Sequence, residues 1–296
     1  IDEHVFRKLK RLGLPQSKLC TDGEFLRRVS LDITGTLPTV EEAHRFLGNS
    51  DPEKRRKLID SLLKKPEYAT YFALRWGDVL RLKGGRKGRK GMDGEHERGL
   101  AFHGWIKQSL KENKPYDRFV REILTVSGPT SGPKTAAPMS WWLQLKMPSQ
   151  LVDDTAQAFL GTRVQCAQCH HHPFERWSQD DYWGLAAFFG RVQWQKESKG
   201  KFTPVRDSEA GRLGQYLGRD SKKQLSSPQG KVYAEPFGLG TEPVSLTEDV
   251  DPREKLADWM VANDNPFFAR ALVNRYWGYF LGRGIVEPVD DMRVTN

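Results

Sequence analysis

Asp153–Phe174 reads DDTAQAFLGTRVQCAQCHHHPF. In its first half Ala156, Phe159 and Leu160 fall on one face of a helix, and the pattern predicts that this helix stops at or just before Cys166. The second half opens on Cys166-Ala167-Gln168-Cys169-His170, two thiols three positions apart followed at once by an imidazole. The block therefore predicts helices that carry a reactive loop between them.

Working outward, the same helical grammar recurs. A hydroxyl or carboxylate residue followed three positions later by an acid can satisfy free amides at a helix start, and this occurs at Thr21 with Glu24, Thr39 with Glu42, Ser50 with Glu53 and Ser178 with Asp181. After Ser50, the residues Leu58, Ile59, Leu62 and Leu63 line one helical face, and Pro66 limits that helix. Further helical runs cover Tyr68 to Leu82, Leu100 to Leu110 and the segment NKPYDRFVREILTVSG. Asp251-Pro252-Arg253-Glu254 reads as one more capped start, and PFFARALVNRYWGYFLGRG predicts a helix ending on Gly282 or Gly284.

The irregular stretches are as informative. Residues 83 to 99 hold six glycines, with five cations in the first eight positions, and predict a mobile loop. Residues 191 to 250 turn polar and rich in Lys, Gly, Ser and Pro, with short strand candidates at Lys231 to Ala234 and around Val244. The expected fold is mostly α: an irregular helical domain over 1–190, a polar linker with a small β-hairpin over 191–250, and over 251–296 the helical start of a second domain that continues past Asn296.

Composition narrows the function classes. A chain of 296 residues, 38% of them hydrophobic, can bury a large core without staples. Three cysteines exclude a disulfide scaffold, and no apolar run reaches the roughly 20 residues of a membrane span. The net charge of +9 is concentrated in the loop after Leu82, where no aromatics interleave the cations. It reads as a docking surface for an acidic partner protein or for an anionic polysaccharide, and not as a nucleic-acid site. The opening segment IDEHVFRKLKRLGL carries no leader pattern and reads as a processed end, so the compartment has to be argued from chemistry.

Cys-x-x-Cys-His is the attachment motif for haem c: two thiols reach the two vinyl groups, and the following His170 becomes the proximal iron ligand. Zinc is the competing reading, held by Cys166, Cys169 and His172 with His170 or His171, although ligands drawn from seven consecutive residues strain the loop. A redox dithiol is the third, with no strand pattern before it to support it. For the second axial position His103, at the start of an aromatic helix, ranks first among the remaining histidines and methionines; an open iron site is equally compatible. Met139 and Met147 read as core fillers, His171 as a surface residue, the pairs Asp153-Asp154 and Asp290-Asp291 as caps and surface charges, and Cys20 as a small residue beside a helix.

The blocks LRRVSLDITGTLPTVEEAHRFL, NKPYDRFVREILTVSG, FLGTRVQCAQCHHHPFERWSQDDYWGLAAFF and NPFFARALVNRYWGYFLGRGIVEPVDD together resemble the planctomycete cytochrome c-like (PSCyt-type) proteins. The resemblance covers nearly the whole chain. It implies an exported, periplasmic or otherwise extracytoplasmic protein in which Cys166, Cys169 and His170 bind haem c. His172 and Phe174 fit that family's C-x-x-C-H-x-H-x-F pattern, which marks His172 as a candidate ligand or neighbour of the iron. The resemblance transfers no reaction. Three activities follow as expectations: electron transfer; a haem-dependent oxidoreductase whose open iron acts on a small oxidant or a polysaccharide-derived substrate; or a zinc-stabilised binding module.

Overall fold

Reciprocal capping starts three helices where the sequence places them. The Glu24 amide donates to Thr21 Oγ1 at 3.3 Å and the Thr21 amide to Glu24 Oε2 at 2.8 Å, and Thr39 with Glu42 and Ser178 with Asp181 repeat the exchange. Ser50 does not cap. Asp51 takes over, accepting the Glu53 amide at 2.8 Å, because its carboxylate can close a short turn on the backbone two residues on.

The computed structural model describes residues 1–83, 93–127, 136–145, 147–190, 192–196, 202–206, 227, 231, 235–246, 250–293 and 295–296. Its helices are α1 (Asp2–Arg11), α2 (Asp22–Thr34), α3 (Val40–Leu47), α4 (Lys54–Leu62), α5 (Pro66–Val79), α6 (Asp93–Lys111), α7 (Tyr116–Leu124), α8 (Met139–Trp142), α9 (Pro148–Thr155), α10 (Gln179–Ala187), α11 (Pro252–Val261) and α12 (Phe268–Leu281). A π-helical turn, Ala156–Leu160, continues α9, and a 3-10 turn, Gln165–Gln168, follows it. The described part of the chain is mostly helical, and no helix in it is long and apolar enough to cross a membrane.

By contacts the chain divides inside α5, into Ile1–Tyr71 and Phe72–Asn296. The first unit packs α2 against α3 and α4 around Leu26, Ile33, Phe46 and Leu62. Arg55 ties α4 back to the start of α2, donating to Asp22 Oδ1 and to the Cys20 carbonyl; the Cys20 thiol is free and half-buried. Gly35 ends α2 at φ +67, where a Cβ would press within 2.4 Å of the Tyr71 ring, so glycine alone fits.

The second unit has one apolar core, built on Trp141 and Trp142 of α8 with Phe102, Ile123, Phe159, Tyr182 and Phe188. Leu256, Met260 and Phe268, from the segment that composition sets apart as a further domain, belong to this same core. Residues 235–246, inside the expected linker, also dock on it. Phe237 fills the space where a Gly184 Cβ would stand, and Trp259 does the same at Gly238.

Four expectations change. Asp93 to Gly99, at the end of the expected loop, are helical and begin α6; residues 84–92, with most of its cations, lie outside the described residues. The small β-hairpin is not found where the sequence suggested it. Lys231 and Val244 are in no strand, residues 232–234 lie outside the described residues, and the Val244 amide donates to the Pro236 carbonyl, closing a docked loop whose prolines remove ladder donors. The one pairing among the described residues is Val192–Lys196 antiparallel to Phe202–Arg206, with Trp194 opposite Pro204. The helix read from Asp153 begins earlier, at Pro148, and ends at Leu160 because Gly161 turns left-handed at φ +61. Met139 is fully buried as expected, whereas Met147 is half exposed.

Gly161 carries a prediction. A Cβ there would stand 3.0 Å from Ala271 Cβ of α12 on a backbone that side chains rarely adopt. Gly161→Ala should cost about 1–3 kcal/mol in urea unfolding, and a loss under about 0.5 kcal/mol would show that the turn relaxes freely.

Candidate functional site

The Cys-x-x-Cys-His motif sits on the 3-10 turn between the π-helical turn and α10. A 3-10 helix has three residues per turn, so residues i and i+3 stand over one another. Val164 and Ala167 share the buried edge, at 1% and 0% exposure, while Cys166 and Cys169 share the opposite one, where both are exposed and neither forms a disulfide. The Gln168 carbonyl that closes the turn accepts from Trp183 Nε1 at 3.0 Å. The Ser178–Asp181 cap fixes the start of α10, and so α10 holds the turn in place.

His170 follows at once and is exposed. Its Nδ1 lies 2.7 Å from the His171 carbonyl. A carbonyl oxygen can only accept, so Nδ1 carries the proton and the Nε2 lone pair stays available. His172 is arranged the other way. Its amide donates to the Trp177 carbonyl at 2.8 Å, and its Nδ1 accepts from the Phe174 amide at 3.2 Å, which puts the proton of the neutral ring on Nε2. In this geometry His172 braces the loop and offers no free lone pair. Phe174, two-thirds exposed, lies edge-on to His172 and under the Arg293 guanidinium.

His103 lies elsewhere, on α6, which packs chiefly on α8; its Nε2 is buried without a hydrogen-bond partner among the described residues. Among those residues no three of His, Cys, Asp and Glu are gathered so as to hold a metal ion. The zinc set of Cys166, Cys169 and His172 is therefore not assembled: the thiols face out from the turn, and His172 is turned to the backbone of its own loop.

The paired carboxylates are not surface charges. Asp154 is buried and salt-bridged to Arg81 at 3.0 Å, and burial raises its pKa while Arg81 and Lys83 pull it down. Burial pushes Asp153 up to about 7 against the Tyr182 hydroxyl, which pulls the other way, and the neighbouring Asp154 charge adds to the rise. Tyr182 is raised in turn, mainly by its own burial. Asp290, the other expected surface carboxylate, accepts from Gln157 at 2.5 Å and from Arg163 at 2.7 Å; burial raises its pKa, and these two partners outweigh it. A sequence signal was available in that Leu151 and Val152 precede Asp153 and Asp154, and Ala156, Phe159 and Leu160 follow them, an apolar setting that is a poor place for two solvated charges.

Helical packing around a braced turn that exposes two thiols and an imidazole defines a helical domain with a surface Cys-x-x-Cys-His loop. The chain belongs to the PSCyt2 family, described as a protein of unknown function (DUF1549), whose model matches residues 1–194. Residues 252–296 match PSD1, also described as a protein of unknown function (DUF1553). No curated protein and no solved structure matches the chain.

Proposed function

We propose that this chain is a c-type haem protein acting in extracytoplasmic electron transfer. The observation that carries the reading is the His170 contact: Nδ1 bonded to a carbonyl, Nε2 left open, one residue after two exposed thiols on one edge of a 3-10 turn. Cys166 and Cys169 would hold the porphyrin, each thiol adding its S–H across one vinyl group, and His170 Nε2 would hold the iron. Bound there, haem supplies one-electron chemistry between ferrous and ferric iron.

The chain's residues do the rest. The carbonyl of His171 keeps the His170 ring oriented and its tautomer fixed, as outer partners of ligating histidines do. Trp183 and α10 keep the turn rigid, which lowers the reorganisation needed on electron transfer. The basic balance of 47 Lys and Arg to 38 Asp and Glu would steer an acidic redox partner, and an anionic polysaccharide would be held by the same charge. Extracytoplasmic placement follows from the proposed attachment chemistry.

Because His172 has its Nδ1 engaged by the Phe174 amide, its ring would offer the iron no lone pair in this geometry. That favours, as a second reading, a haem-dependent oxidoreductase whose open iron takes a small oxidant.

Expression in a periplasm competent for haem attachment, followed by acid–acetone extraction and a pyridine haemochrome spectrum, tests the proposal. Covalent haem near one equivalent is expected, with loss of essentially all of it in Cys166→Ala/Cys169→Ala. A colourless wild-type protein would remove both readings.

A further inference from the structure

A cavity of about 250 Å3 opens in the second unit between α9 and the segment after α5, and residues of α8 and the 3-10 turn complete its wall. Two of its lining atoms, Gln144 Oε1 and Asp153 Oδ1, are buried and have no hydrogen-bond partner among the described residues. A buried acceptor left unpaired costs about 1–3 kcal/mol, so two on one cavity call for donors from outside the chain. Arg81 holds a left-handed backbone, φ +52, while its guanidinium reaches Asp154 at 3.0 Å and Gln157 Oε1 at 2.9 Å. That left-handed turn ends α5, with the Leu82 amide donating to the Gly77 carbonyl and the Arg81 amide to the Asp78 carbonyl, and it places the guanidinium at the cavity wall.

The wall chemistry selects the class of donor. Arg81 and Lys83 stand in it, and two cations beside one salt-bridged carboxylate disfavour an ammonium ligand. A hydroxyl group suits better: it donates to Gln144 Oε1 or Asp153 Oδ1 and can accept from Lys83 or a glutamine amide. Leu80, Leu145 and Trp141 add apolar surface for C–H faces. We propose that this cavity binds a small polyhydroxylated ligand of monosaccharide size, whose hydroxyls donate to Gln144 Oε1 and Asp153 Oδ1. The site is independent of the haem reading, and binding here needs no cofactor.

The test is a titration of the purified full chain at about pH 6 with glucose, galactose, glucuronate and ethanolamine, followed by NMR. At least one of the three sugars should bind with a Kd in the millimolar range, shifting the Gln144 side-chain amide and the Trp141 indole signals, while ethanolamine does not. Glucuronate binding more tightly than glucose would assign Lys83 to a ligand carboxylate within the same class. Gln144→Leu should weaken binding tenfold or more, checked for folding by circular dichroism. The wild-type shift map decides the question even where that variant fails to fold. Absence of sugar binding at about 50 mM, shifts centred away from Gln144 and Trp141, or preference for ethanolamine would each overturn the proposal.

Discussion

Replacing Arg253 by methionine should cost about 3–5 kcal/mol, the largest loss expected from a single substitution outside the apolar core. Arg253 is 2% exposed at the second residue of α11, and all of its reach is used. Its Nε and Nη2 grip the Asp251 carboxylate, Nη2 also donates to Ser127 Oγ at 2.7 Å, Nη1 donates to the Val126 carbonyl at 2.8 Å, and the guanidinium lies over Trp142 at 5.1 Å. Removing it leaves the Asp251 charge buried with only the residue-253 amide to hold it, and strands a carbonyl and a hydroxyl. Arg253→Met/Asp251→Asn should cost less than the two single changes summed, because no unpaired charge is left in the interior. Urea unfolding of the three variants measures this, and a loss within about 0.5 kcal/mol for Arg253→Met would mean that the pair is solvated and contributes little. The consequence reaches the family organisation: through Arg253, the stretch that matches PSD1 is fastened to the loop after α7 in the stretch that matches PSCyt2.

The sequence shows Arg253 only as the third residue of a capped start, and this marks the boundary of what could be read without a structure. Local physics was legible. The caps at Thr21, Thr39 and Ser178 and the glycine stop at Gly282 depend on residues three or four apart, and each forms as read. The Cys-x-x-Cys-His motif is local too, and its exposure on one 3-10 edge follows from its own spacing. What was not legible depends on partners far along the chain. The burial of Asp154 is set by Arg81, and the π-helical turn survives because Arg275 of α12 donates to the Gln157 and Ala158 carbonyls that its wider spacing frees. Composition likewise made residues 235–246 look like linker, although Phe237 and Leu239 bury against α10 and its neighbours. A polar average hides two well-placed apolar residues.

Asp153→Asn should stabilise the protein clearly more at pH 8 than at pH 5. In the unfolded chain this carboxyl ionises at its ordinary value of 3.8, and in the fold burial pushes it up to about 7. Between those values the folded state holds the extra proton, so stability falls as pH rises through the window and levels off above about 7. Asparagine has no proton to lose and resembles the neutral acid, so wild type and variant diverge only across that window. Each pKa unit corresponds to about 1.4 kcal/mol; with solvent reaching the cavity, a gain on the order of 2 kcal/mol at pH 8 is expected. Paired urea titrations at the two pH values measure it, and an equal difference at both would show that Asp153 ionises normally. The sign also bears on the cavity. A carboxyl that is neutral at pH 6 and charged at pH 8 turns from a group able to donate or accept into a pure acceptor. A hydroxyl ligand gains from that change, because ionised Asp153 makes the stronger acceptor and the bound donor offsets the cost of its burial. Sugar binding and Asp153 ionisation should therefore strengthen each other, so that ligand draws the apparent pKa of Asp153 down and affinity rises with pH across the same window.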